Sequence, residues 1–206
     1  MALGAGAVSG LQISVPGHGR WLPLPLEGDV DAQASAAAAD LTRGRSADET
    51  GHVAALIAGT ARVVRRGVER PARLGIPTFL AWALLPVPGV LRPGPVALLR
   101  GLPLAADATD DEVVGTVVDP DGERQGDVDV GTLGTSSGRA WTVRWRPVVR
   151  GDDGERLVHE QHAVLWPDRS HDLAMVLSLY LVDLLDGAAA AAPLHELAAR
   201  VRWSLS

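Results

Sequence analysis

The chain has 206 residues, of which 47% are hydrophobic and 21% are charged, a balance that is typical of a globular protein and excludes a disordered one. The formal net charge is −6, which disfavours general binding to nucleic acid because an acidic chain repels phosphates, although a local basic patch is still allowed. There are no cysteines, so disulfides, thiolate metal sites and cysteine nucleophiles are excluded, and all the cationic residues are arginine rather than lysine.

The N-terminal residues show no export signal, since glycine and serine interrupt the apolar residues before Arg20. The most apolar run, Phe79 to Val90, is shorter than the roughly 20 residues of a membrane span and contains two prolines. We therefore expect a cytoplasmic protein without a membrane span. We also expect a single domain over residues 1–206, with residues 1–19 flexible or forming an edge segment.

The first predicted elements are short extended pieces and a helix. The segment Trp21-Leu22-Pro23-Leu24-Pro25 cannot be helical because of its prolines, and Trp21 is expected to anchor it to the body of the protein. Residues 29–43 are rich in alanine, which predicts a helix ending near Gly44.

A capping box formed by Ser46 and Glu49 predicts the start of a long helix, whose apolar residues recur on one face. Pro71 is expected to stop it. The opposite face and the helix exit are basic, with Arg62, Arg65, Arg66, Arg70 and Arg73. Guanidinium groups fit phosphate or an acidic partner, so we take this edge as a candidate partner-binding surface; a solvated helix face is the alternative.

Strands dominate the next part of the chain. Residues 78–85 are apolar without alternation, which indicates a strand buried on both faces, and residues 96–104 are expected to pair with it as a hairpin. Residues 110–118 predict a short helix, with a strand as the alternative. Further strand runs, separated by turn residues, predict an antiparallel meander over 128–133, 139–149, 157–166 and 173–181.

Two patterns in these strands and turns could carry chemistry. Acidic residues between Asp119 and Asp129 could hold calcium, but their spacing matches no EF-hand, so a solvated turn is favoured. Gly134 to Gly138 matches G-x-S-x-G, which would make Ser136 a nucleophile. The residues that follow alternate as a strand and offer no helix N-terminus for an oxyanion hole, so a polar hairpin is favoured and a hydrolase is the alternative.

Charged residues recur on the last strands. Arg144 and Arg146 are expected to lie opposite Glu160 and His162, an arrangement that typically marks a solvated face and would make the arginines further candidate partner-binding residues. His159 and His162 could suggest a metal site with His171 and Asp172. Residues three apart on a strand point to opposite faces, so ordinary strand histidines are favoured. We predict no catalytic residue, no metal and no other cofactor.

The chain closes with an alanine-rich, low-complexity stretch and an amphipathic helix whose first turn is expected to contain Pro193. Trp203 follows and is expected to pin the C-terminus to the core. Helices on either side of a strand run indicate the α+β class. We predict an antiparallel β-sheet meander flanked by helices, an αβα-type sandwich with an N-terminal long helix and a C-terminal helix.

This order of elements resembles the PsbP-like fold family, which includes DcrB-like proteins and the actinobacterial LpqN-type lipoproteins. The resemblance spans nearly the whole chain and is carried by the aromatic extended segment at Trp21 to Pro25, the helix after it, the strand meander and the ending LHELAARVRW, Leu194 to Trp203. It implies a binding module without catalytic residues in an actinobacterium-like host. The chain departs from the lipoproteins in lacking a lipobox cysteine, which argues against a membrane anchor.

The function that these features favour is a non-catalytic protein-binding module, an adaptor or chaperone-like protein for a secreted or toxin-type partner. A homo-oligomer or a subunit of a larger complex fits the same features. The alternative is a small-molecule-binding protein or a hydrolase with a pocket between the sheet and the helices.

Overall fold

A computed structural model of the chain describes residues 10–15, 20–85, 94–151, 153–182, 184 and 187–205. The helices are α1 (Val30–Leu41), α2 (Ala47–Arg73), α3 (Asp110–Gly115) and α4 (Gly187–Arg200). The strands are β1 (Gln12–Ser14), β2 (Trp21–Pro23), β3 (Thr78–Leu84), β4 (Val96–Pro103), β5 (Asp129–Thr135), β6 (Gly138–Trp145), β7 (Val148–Arg150), β8 (Arg156–Val158), β9 (Glu160–Asp168), β10 (Leu173–Leu181) and β11 (Arg202–Ser204). The predicted α+β class is confirmed. Most of the predicted flexible or edge segment, residues 1–19, lies outside the described residues, and no described helix is both long and apolar enough to cross a membrane.

One antiparallel sheet has the strand order β2-β3-β4-β10-β9-β6-β5. The predicted hairpin of β3 and β4 is confirmed. The chain then crosses through α3 to the far edge of the sheet and returns strand by strand, so that β10 pairs with β4 in the centre. The meander therefore closes on an earlier strand rather than ending at an edge.

Two small ribbons lie outside this sheet, β1 with β11 and β7 with β8. The second ribbon changes two predicted elements, because residues 139–149 are divided between β6 and β7 and residues 157–166 between β8 and β9. The chain breaks at His159, whose backbone N–H donates to the carbonyl of Pro147 at 3.0 Å, and β9 begins at Glu160. This break places Glu160 at the first position of a central strand.

The two faces of the sheet carry different apolar clusters. On one face, alternate residues of β10 such as Leu177 pack with Leu194 and Leu197 of α4. On the other face, α1 and α2 cover β2 and β3, while the segment around α3 covers part of β10, β9 and β6. The long helix α2 is the second helix in chain order, and β2 and α1 precede it.

The capping box of α2 is confirmed, since the N–H of Glu49 donates to Ser46 Oγ at 3.2 Å and the N–H of Ser46 donates to Glu49 Oε2 at 3.1 Å. The helix does not stop at Pro71 but continues to Arg73. A proline in a last turn removes only one donor, and here the Pro71 carbonyl accepts from the N–H groups of Leu74 and Ile76, which closes the helix.

Helix α4 begins earlier than the sequence pattern predicted. The alanine stretch is its first half, so Pro193 lies inside the helix rather than in the first turn. The high helix propensity of alanine accounts for this start. Trp21 is buried and its Nε1 donates to the Pro193 carbonyl at 3.0 Å, which confirms its predicted anchoring role and joins β2 to α4.

We expect Trp21→Phe to lower the free energy of unfolding by at least about 1 kcal/mol more than Trp203→Phe, as measured by urea denaturation. The substitution of Trp21 removes the hydrogen bond to Pro193, whereas the half-buried Trp203 has an indole Nε1 without an acceptor in the described part of the chain. Equal losses in the two variants would show that the hydrogen bond does not stabilise the protein.

Candidate functional site

One end of the sheet face that α4 covers is charged rather than apolar. Strands β6 and β9 are neighbours there, and Arg144 lies opposite His162. The side chain of Glu160 has no exposed surface. Its Oε1 accepts from Arg144 Nε at 3.0 Å and lies 2.8 Å from His162 Nε2, while its Oε2 accepts from Arg144 Nη2 and Arg146 Nε, each at 2.9 Å. Both carboxylate oxygens therefore have two partners. We call these four residues the Glu160 cluster.

The Glu160 cluster holds an ionised carboxylate. Burial by itself raises the pKa of Glu160, but the hydrogen bonds from Arg144, Arg146 and His162 outweigh it and lower the pKa to about 2. Burial lowers the pKa of His162 by more than its bond to Glu160 raises it, so this imidazole is neutral at pH 7. A neutral histidine facing a carboxylate carries its proton on the facing nitrogen, so His162 Nε2 is the donor.

The first residue of α4 packs against the same carboxylate. A Cβ placed on Gly187 would lie 2.2 Å from Glu160 Oε1, so no other residue fits without moving the cluster. The N-terminal end of a helix carries a partial positive charge, which favours a carboxylate at this place. The Glu160 cluster therefore joins two strands to the start of a helix.

A groove of about 260 Å³ opens beside the Glu160 cluster, between α4 and the strands β5, β6 and β9. Its polar lining includes Asp129, Thr142, Arg144, His162 and His195. Burial lowers the pKa of His195 as well, so the groove presents two neutral imidazoles at pH 7. Among the described residues, no group of three histidine, aspartate or glutamate side chains is placed to hold a metal ion.

Ser136 does not lie on the strand-to-helix turn that a nucleophile elbow requires. Ser136 lies in the tight turn between β5 and β6, and its Oγ donates to the carbonyl of Ala199 at 2.9 Å. The neighbouring Ser137 Oγ donates to the carbonyl of Val201 at 3.0 Å. These hydroxyls satisfy carbonyls at the C-terminal end of α4, which a helix otherwise leaves without partners. The G-x-S-x-G match is a helix-capping turn, not a nucleophile elbow.

The two histidines of the metal hypothesis point to opposite faces, as expected. His162 belongs to the Glu160 cluster, whereas His159 packs edge-to-face on Tyr180 with ring centroids 4.8 Å apart. In the acidic loop, Glu123 forms an ion pair with Arg156. That carboxylate is therefore already neutralised by a cation of the chain.

The structure does not bring the six predicted partner-binding arginines together. Arg62 pairs with Asp31 of α1, and Arg65 donates to backbone carbonyls of the β2–α1 connection. Arg66 and Arg70 are exposed on α2. Arg144 and Arg146 lie on the opposite face of the sheet.

The expectation that Arg144 and Arg146 lie opposite Glu160 and His162 is confirmed, but the expectation of a solvated face is wrong. The start of α4 covers Glu160, so the charged face is buried at its centre. The residues that sequence reasoning missed are Gly187 and His195. Gly187 stands directly before the alanine run of α4, and a glycine at such a place allows another group to come close to the backbone. The sequence does not indicate that this group is the side chain of Glu160.

Comparison with known proteins gave no match to a family model, to a curated protein or to a solved structure.

We expect Glu160→Gln to lower the free energy of unfolding at pH 7 by about 3 kcal/mol, because two cations lose a buried counter-charge. Glu160 has a lower pKa in the folded state than its ordinary value of 4.5, so its contribution is complete above about pH 4.5 and is lost as the pH falls towards 2. The difference between wild type and variant should shrink over this range in urea denaturation.

The matched control is Glu123→Gln, which breaks the exposed ion pair with Arg156 and should cost less than about 1 kcal/mol. A loss for Glu160→Gln no larger than that of the control would contradict the structural role of the Glu160 cluster.

We expect Gly187→Ala to destabilise the protein by about 1 to 3 kcal/mol, because its methyl group would overlap the Glu160 carboxylate. Gly67→Ala in α2 is the matched control, since nothing lies within 4 Å of its added Cβ. There alanine should raise stability by about 0.5 to 1 kcal/mol. Thermal unfolding followed by circular dichroism measures both, and a Gly187→Ala variant at least as stable as the wild type would rule out the predicted overlap.

Proposed function

We propose that this protein is a non-catalytic protein-binding module, adaptor or chaperone-like in type, and that an exposed stripe on α2 binds an acidic protein partner. The proposed partner is a secreted or toxin-type protein. The proposed layout is an αβα sandwich, which the apolar clusters on both faces of the sheet support. The observation that carries the binding proposal is the unburied C-terminal half of α2.

The buried residues of α2 are Val53, Ile57, Ala58 and Ala61, and none lies beyond Ala61. After Ala61, only the partly buried Val64 packs against the cluster beneath α1 and α2. The side chains of Val63 and Leu74 are 60% and 72% exposed, so this segment presents an apolar residue at each end. A helix that ran this far only to stabilise the fold would bury an apolar face along its length.

Val63, Arg66, Arg70 and Leu74 follow one another at helical spacing, so they share one face of α2. We call this face the α2 stripe; it has apolar ends, a basic centre and a length of about 16 Å. Within the described ranges, neither Arg66 nor Arg70 has a hydrogen-bond or ion-pair partner. Two free guanidinium groups between apolar contacts fit two carboxylates between apolar side chains. The complementary partner is therefore an acidic amphipathic surface.

The α2 stripe also stands out against the charge of the whole protein. The chain has a net charge of −6, so a compact basic face is an exception on its surface. Local charge of the opposite sign accelerates and orients association with a partner. The neighbouring Arg62 and Arg73 are already paired with Asp31 and Glu69, whereas Arg66 and Arg70 of the same helix have no such partner in the described part of the chain.

A small-molecule-binding protein is the second candidate function. The groove beside the Glu160 cluster favours it, because two neutral imidazoles and the hydroxyl of Thr142 line it. The volume of about 260 Å³ lies just below the usual range of ligand pockets, so a small ligand is implied.

The test is photo-crosslinking in the native host. A benzoylphenylalanine placed at Val63 should crosslink to one acidic protein in stoichiometric yield, whereas the same residue placed at Val130, exposed on β5, should not. Arg66→Glu with Arg70→Glu should lower recovery of that protein at least tenfold, because like charges would then face each other.

The matched control is Arg150→Glu with Arg202→Glu, which makes the same change in net charge at exposed positions away from α2 and should leave recovery unchanged. Retention of the partner by the α2 double variant would contradict the proposed surface. A crosslink between two copies of the chain would identify a homo-oligomer and contradict the adaptor function.

A further inference from the structure

Arg100 of β4 lies on the sheet face opposite the Glu160 cluster, between two apolar clusters. Its neighbours on the same side of β4 are Leu98, which packs with the residues beneath α1 and α2, and Leu102, which packs with the residues around α3. Arg100 is half-buried at the seam between these layers. Apolar surroundings are costly for a charge unless a counter-charge is close.

The contacts of Arg100 do not supply such a counter-charge. Its Nη2 donates to the hydroxyl of Ser178 at 2.8 Å, but its Nε is buried and has no acceptor in the described residues. Burial lowers the pKa of Arg100, whereas the hydrogen bond to Glu160 raises the pKa of Arg144. Among the described residues, Arg144 therefore has a counter-charge and Arg100 has none.

A bulge in β3 brings a second unsatisfied group to the same place. Leu80 lies opposite Leu99, and a regular ladder would place Thr78 opposite Gly101, but the register shift places it opposite Arg100. The Thr78 Oγ1 is buried and has no hydrogen-bond partner among the described residues. β-bulges re-aim side chains, often at functional sites. Thr78 and Arg100 are thus opposite each other on adjacent strands, and each has a buried polar atom without a partner among the described residues.

We propose that Arg100, Thr78 and Ser178 form a binding site for a small oxyanion, either a phosphate or a carboxylate group. A guanidinium group and two hydroxyls are donors that suit such oxygens. The bound anion accepts from Arg100 and from the Thr78 hydroxyl, and it supplies the missing negative charge. A water molecule would satisfy the hydrogen bonds but would leave the cation without a counter-charge. This site lies apart from the α2 stripe and does not depend on the proposed partner.

The experiment is thermal unfolding of the full chain with inorganic phosphate, compared with sodium chloride at equal ionic strength. Phosphate should raise the Tm of the wild type in a saturable manner, by about 5 °C at a hundredfold excess over the Kd. A parallel titration with acetate distinguishes the two sources of the oxyanion, because a phosphate site responds more strongly to phosphate and a carboxylate site to acetate. A Tm that neither anion changes would overturn the proposal and leave a water at this place.

The variant that tests the site is Thr78→Val, which removes the hydroxyl but keeps the shape of the side chain and the net charge of the protein. It should weaken anion binding at least tenfold. Arg150→Gln with Arg202→Gln is the control for exposed arginines and should bind as the wild type does. An unchanged affinity in Thr78→Val would overturn the proposal. In the folded wild type, the Nε–H resonance of Arg100 should move on titration with the bound anion; a resonance that stays in place would also overturn it.

Discussion

The buried carboxylate of Glu160 fixes the position of α4, and much of the architecture depends on that helix. Two guanidinium groups and an imidazole hold the carboxylate, and Gly187 brings the helix start against it. The middle of α4 is joined to β2 through Trp21, and its C-terminal end is capped by the hydroxyls of Ser136 and Ser137. Polar contacts thus hold the start, middle and end of α4 in place. Between these contacts, the apolar face of the helix is buried against the sheet.

The sheet uses arginine in two opposite ways on its two faces. Arg144 is neutralised inside the chain, so its charge contributes to the arrangement of strands and helix and is not available to a ligand. Arg100 lies between two apolar layers with a hydroxyl as its described hydrogen-bond partner. The charge of Arg144 can be buried on the face that α4 covers because Glu160 of the same chain supplies the counter-charge. On the second face the same physical requirement favours a counter-charge from outside the chain.

Local signals predicted the elements that depend on neighbouring residues. The capping box of Ser46 and Glu49 and the apolar run of β3 needed no distant information, and both are confirmed. The pairing of β10 with β4 could not be predicted in this way, because it joins Ser178 to Leu98 across a long stretch of chain. The burial of Glu160 was missed for the same reason: alternating charged residues look alike whether the face meets water or a helix that comes later in the sequence.

The candidate arginines show why a basic pattern alone does not locate a binding surface. Arg62 and Arg65 belong to the same basic face as Arg66 and Arg70. However, Arg62 pairs with Asp31, and Arg65 donates to carbonyls of the β2–α1 connection. These acceptors are far from the arginines in sequence. Whether a cation is available to a partner depends on whether folding brings an acceptor to it. In the described part of the chain, folding brings no anion to Arg66, Arg70 or Arg100, which is why both proposed sites lie there rather than where arginine is most frequent in the sequence.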